Sequence, residues 1–181
     1  MNVSSIVAIS IALCALILAL WMVIDWRRSK KLKSQFGPEY DRLVMERGDR
    51  KNAEIELERR TKRVEHLNLR PLYVDDRLRF AEAWRVDQTH FVDNPHLAVE
   101  KADKLVQEVM SARGYPVMDF EQRSNDISVD HPEVVDHYRS AHGIATRDRR
   151  GEATTEELRQ AMIHFRALFE DLLEQRVAQK V

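Results

Sequence analysis

The sequence of 181 residues holds a single cysteine, Cys14, and it lies inside an apolar run. With no second thiol, an intramolecular disulfide and a cysteine-based zinc site are both excluded. Glycine and proline are scarce, at five each. Four of the glycines (Gly37, Gly48, Gly114, Gly151) fall at element boundaries, so none forms a glycine-rich phosphate loop. No segment alternates polar and apolar residues for long enough to make a strand, and there is no internal repeat or low-complexity tract. Lysine and arginine are missing altogether from residues 1–26, where Asp25 is the lone charge. A long apolar run with no basic residue ahead of it argues against a cleaved signal peptide. Leu13, where a lipoprotein signal wants a small residue, argues against a lipid-modified Cys14.

What is present is an apolar stretch from Val3 to Ile24, interrupted only by Ser4, Ser5 and Ser10. At about 1.5 Å per residue a helix of that length reaches about 33 Å, against a bilayer core of about 30 Å. The stretch predicts a transmembrane helix, with Trp21 and Trp26 at the lipid–water interface, where indole rings are favoured. Five of the 29 basic residues are then crowded into Arg27, Arg28, Lys30, Lys31 and Lys33. Their place on the C-terminal side predicts a short outer N-terminus and a cytoplasmic remainder. The same five groups mark the candidate contact with anionic lipid headgroups. The rest of the chain is mildly acidic, which argues against nucleic acid as a partner.

Beyond the basic cluster the sequence predicts an all-α protein in three parts. These are a transmembrane anchor (1–26), a basic juxtamembrane segment with a charged connecting helix (27–67), and a bundle of about four helices (68–181). Gly37-Pro38 breaks the chain, Glu39 to Arg47 reads as a short helix closed by Gly48, and Asp49 to Leu67 as a longer one. The apolar line of that longer helix, Ala53, Leu57, Val64 and Leu67, is thin and is interrupted by Arg60. It resembles a seam that needs cover, either from the protein's own bundle or from a second copy in a homodimer. In the bundle, Leu78, Ala81, Trp84, Gln88 and Phe91 share one face of a helix beginning at Asp75 or Asp76. Asp93-Asn94-Pro95 and Asp130-His131-Pro132-Glu133 are helix starts, with Gly114 and Gly151 as stops. Residues 115–129 read as irregular, with one helical turn around Phe120 to Arg123. Thr154-Thr155-Glu156-Glu157 fits a capping box ahead of the stripe Leu158, Ala161, Met162, Phe165, Leu168, Phe169, Leu172 and Leu173.

The chemistry is sparse. Asp87-x-x-His90 and Asp93-x-x-His96 have a carboxylate-x-x-His spacing that di-iron bundles use. The inward glutamates such a site also requires are missing from the stripes. Glu133 and His137, one turn apart, read as a solvated pair. No serine has a recognisable elbow or a partnered histidine. The sequence therefore names no catalytic, metal or cofactor residue.

Three stretches carry a resemblance: Gln35-Phe36-Gly37-Pro38-Glu39-Tyr40-Asp41-Arg42, Ala112-Arg113-Gly114-Tyr115-Pro116, and Ser128-Val129-Asp130-His131-Pro132-Glu133-Val134-Val135. They resemble a family of uncharacterised bacterial single-pass membrane proteins, over roughly the chain from Ser34 to Glu174. The resemblance implies a helical region behind one membrane segment in a bacterial setting, and no activity. The resulting expectation is an interaction or scaffold domain tethered to the inner face of a bacterial membrane, binding a protein partner the sequence does not specify. The competing expectation is a tethered enzyme or small-ligand bundle. Its mark would be a polar pocket among the helices that holds two or more histidines or carboxylates.

Overall fold

The computed structural model describes the backbone of residues 3–174 and the side chains of residues 12–174. Among these residues there are eight helices and no strand: α1 (Val3–Phe36), α2 (Pro38–Arg47), α3 (Arg50–Glu65), α4 (Val74–Asp93), α5 (Pro95–Arg113), α6 (Phe120–Asp130), α7 (Val135–Asp148) and α8 (Thr155–Leu173). Residues 3–11 of the apolar run lie outside the described side chains. Among the described residues no helix is long and apolar enough to cross a membrane.

Helices α4, α5, α7 and α8 form the bundle, because each has an apolar stripe that only the others can cover. The stripe of α8 is buried from Leu158 to Leu172, with Phe165 fully enclosed. Local signals set the ends. Asn94 accepts a hydrogen bond from the Leu97 amide ahead of Pro95, and Thr154 and Glu157 complete their capping box. Gly114 closes α5 at φ 94°, where a Cβ would lie 2.5 Å from the carbonyl oxygen of Asn68. Only glycine fits both the backbone angle and the crossing chain.

Two details of the bundle depart from the stripes read in the sequence. In α4, Leu78 is 65% exposed and Ala81 is exposed, while Phe80 and Trp84 are buried and Ala83 and Phe91 pack against the core. The aromatic stripe prevails because it buries more area, and Trp84 stacks on Phe169 with ring centroids 4.8 Å apart. The stretch read as irregular contains the whole of α6, opened by the Asp119 side chain accepting from the Gln122 amide. Its period is hidden because α6 is wedged between two cores. Ile127 faces the bundle and Val129 faces a second cluster, while Arg123, Ser124, Asp126 and Ser128 are buried among polar partners.

That second cluster is built by Leu32 and Phe36 of α1, Tyr40 and Leu43 of α2, Ala53, Leu57 and Val64 of α3, and Val129. The thin stripe of α3 is thus covered within the chain. Leu67 and Leu69 pack against both clusters and join them. Helix α1 enters this layer without a break. Upstream, its described side chains are bare on every side: the consecutive residues Leu16, Ile17 and Leu18 are 66%, 57% and 64% exposed, although each points to a different face.

Candidate functional site

Where α1 leaves its apolar stretch, four of its side chains bond to the layer behind it. Arg28 forms a two-pronged ion pair with Glu58. Ser29 Oγ donates to Glu54 Oε1 at 2.7 Å, and Tyr40 of α2 donates to the same oxygen at 2.8 Å. Lys33 donates to Asp41 at 2.9 Å, and Asp25 accepts from Arg50 at 2.9 Å. Burial and the Glu54 carboxylate push the Tyr40 hydroxyl up to about 12, so it serves as a donor throughout the physiological range. A cleft of about 630 Å³ opens beside these bonds, lined by Trp26, Ser29, Lys30, Lys33, Tyr40 and Arg50 among others.

The structure divides the five basic residues singled out in the sequence. Arg28 and Lys33 are held by acids of α3 and α2. Lys30 lines the cleft with its ammonium 5.1 Å from the ring centre of Trp26. Arg27 and Lys31 project outward with no ion pair among the described residues. Trp21 and Trp26 are 64% and 60% exposed, on the bare part of α1 and at its junction. Tyr40, Arg50 and Glu54 belong to the same place and were not singled out. Their signal was faint, because Arg50 and Glu54 look like two more charges of a solvated helix.

Behind the cleft lies a buried charge cluster. Glu39, fully enclosed, accepts from Arg60 at 2.7 Å, from Arg42 at 2.8 and 2.9 Å, and from Arg139 at 2.7 and 2.9 Å. Burial pushes its carboxyl up, but the hydrogen bonds and charges of Arg42 and Arg139 more than offset this and hold it at about 2. Arg60, the residue that breaks the α3 stripe, also donates to Ser128 at 3.2 Å. Arg63 bonds Asp126 at 2.9 Å. Residues 35–42, 112–116 and 128–135 are joined beside this cluster through the last of the three. Gly37 faces Glu133, where a Cβ would lie 3.0 Å from Oε1, and Tyr115 donates to Asp130 at 2.9 Å. His131 pairs with Asp171 of α8, and Arg113 donates to the Leu172 carbonyl at 2.8 Å. With its charges mutually satisfied, the cluster can position helices, and it offers Glu39 no freedom to move a proton near neutral pH.

The histidines weighed as metal ligands are dispersed. Asp87 lies 3.8 Å from Lys101, His96 bonds Asp148 at 2.5 Å, and His137 meets His164 at 2.8 Å between ring nitrogens. Among the described residues no group of three or more metal-ligating side chains is close enough to hold an ion. Comparison with protein-family models, curated proteins and solved structures finds no match for this chain.

Proposed function

We propose that this chain is a single-pass membrane-anchored helical interaction domain. Val3 to Ile24 crosses the membrane, the N-terminus lies outside, and the helical layers sit at the cytoplasmic face of a bacterial inner membrane. One observation carries the reading: α1 is a single helix that runs from an apolar stretch bare on all sides into the core of the folded layer. A helix apolar all round needs a nonaqueous environment, and the described part from Leu13 to Trp26 has none within the chain. The basic turn follows where phosphate headgroups would lie, with Trp21 and Trp26 just ahead of it. Because no flexible linker separates Ile24 from Leu32, the anchor and the layer move as one body. A protein partner would therefore meet the bundle at a fixed height above the lipid. The α3 stripe is already covered, so a homodimer would have to use another face.

A reporter that fluoresces only in the cytoplasm, fused after Val181, should light up in cells, and alkaline carbonate should leave the protein in the membrane pellet. Neutralising Arg27, Arg28, Lys30, Lys31 and Lys33 together should scramble the orientation. A full-length fusion that stays dark, or a protein released by carbonate, would sink the anchor reading.

A further inference from the structure

Away from the membrane-proximal end, a pocket of about 360 Å³ opens between the first two turns of α5 and the last turn of α7. Its walls include Leu97, Val99 and Ala145, and its charged groups are Glu100, Asp103, Asp148 and Arg149. Three carboxylates thus face one guanidinium. Two of the three have partners, since Asp148 accepts from His96 and Glu100 accepts from Lys104 at 2.6 Å. Asp103 differs. It is 9% exposed and lies between Ala102 and Leu105, both buried, and its Oδ1 is enclosed without a hydrogen-bond donor. Arg123, the buried guanidinium of α6, directs its donors to Tyr138 at 3.0 Å, to Gln107 and to the Met118 carbonyl at 2.8 Å.

A carboxylate enclosed without a donor is unfavourable, and its neighbours on the buried face of α5, Val99, Ala102 and Val106, are apolar and offer it none. The missing element is a donor that carries positive charge. The metal-ligating geometry is not present, so a divalent cation does not answer. The volume is at the small end for ligand pockets, and the apolar walls suit methylene groups. We propose that this pocket binds a small aliphatic ammonium ion, its charged nitrogen donating to Asp103 and its carbon chain lying against Leu97, Val99 and Ala145. Asp148 and Glu100, each already hydrogen-bonded to a neighbour, would set the field at the mouth. The proposal is independent of the anchor, because the pocket is formed by the bundle alone.

The test uses the full chain in detergent micelles, titrated with n-butylamine and 1,4-diaminobutane, with n-butanol as the neutral control. Binding is read by calorimetry and by amide shifts in α5 and α7. Saturable binding of the amines and none of the alcohol is expected. Asp103→Asn should weaken amine binding at least about tenfold while thermal melting holds or rises, because a neutral amide is easier to bury. Leu97→Trp, at a partly exposed position on the rim, should weaken binding by narrowing the entrance while leaving Asp103 in place. Equal binding of amine by the Asp103→Asn protein, or no saturation by either amine up to about 10 mM, would overturn the proposal.

Discussion

The bundle and the layer that α1, α2 and α3 build beside it bury opposite kinds of surface. The bundle encloses Phe80, Trp84, Tyr138, Phe165 and Phe169, with aromatic pairs such as Trp84–Phe169 at its centre. The layer has a small apolar cluster and, between itself and α6, a fully enclosed Glu39 held by three arginines. Hydrophobic burial is nondirectional and tolerates rearrangement, whereas a buried charge cluster is stable in only one geometry. The bundle thus supplies the bulk of the stability, and the charged layer fixes the angle at which α1 leaves the domain. If α1 tethers the chain as proposed, that angle is what a partner would encounter.

The largest expected effect lies in the bundle. Phe165→Ala removes a fully buried ring from the middle of the α8 stripe and should cost about 3–5 kcal/mol in chemical denaturation. A loss below about 1 kcal/mol would mean that this face is exposed and the division of labour is wrong.

The layer should respond more sharply to charge than to volume. Glu39→Gln keeps the size of the side chain but leaves Glu56, at 3.3 Å, as the one carboxylate paired with the buried Arg60. Breaking a buried pair in this way typically costs about 3 kcal/mol or more. Hydrogen exchange should then show lost protection in α2 and α3 while α8 stays protected. Equal losses in α8 would show that the two regions unfold as one unit, and the comparison would collapse.

The same two regions differ in how legible they were. The four bundle helices could be read because stripes, caps and stops agree: Asn94 before Pro95, Gly114 after α5, Thr154 with Glu157. In the layer, helices α2 and α3 could be read from the breaks at Gly37-Pro38 and Gly48, but their packing could not, because its determinants are charged residues that look solvated until a partner far along the chain is known. Arg60 read as a gap in a stripe and is the residue that reaches Glu39 and Ser128. Helix α6 was read only as one turn around Phe120 to Arg123 for a related reason, since a helix with a core on both sides has no polar face to reveal its period. The pocket at Asp103 was invisible in the same way. A lone aspartate between Ala102 and Leu105 signals nothing until α7 is laid against it.

Acidification should separate the regions by pH. Burial holds His142 and His164 below the ordinary histidine value of 6.5, with the neighbouring His137 adding to the effect at His164. The unfolded chain then takes up protons at a higher pH than the folded one. The stability these groups contribute is complete above about pH 6.5 and is lost as pH falls below it. Glu39 follows the same sign at lower pH, its contribution intact above about 4.5 and lost towards about 2. Denaturation midpoints measured from pH 8 to pH 3 should therefore fall in two stages, bundle first and layer second. A single decline confined below pH 4.5 would show that the bundle histidines contribute nothing.

The smallest effect is expected where α1 meets α3 at the surface. Arg28 and Glu58 form a two-pronged ion pair, yet their side chains are 44% and 34% exposed, so water and salt screen the attraction. A double-mutant cycle with Arg28→Ala and Glu58→Ala should return a coupling below about 1 kcal/mol, shrinking further as salt is raised. The contrast with Glu39 is the point of the measurement. Both sites join arginine to glutamate across helices of the same layer, and only one has removed its carboxylate from water. A coupling above about 2 kcal/mol, insensitive to salt, would mean that another molecule covers the Arg28 site and keeps water from it. The angle of α1 would then be held at that covered surface and not by the buried cluster behind it. A small, salt-sensitive coupling leaves Glu39 and its three arginines as the group that sets it.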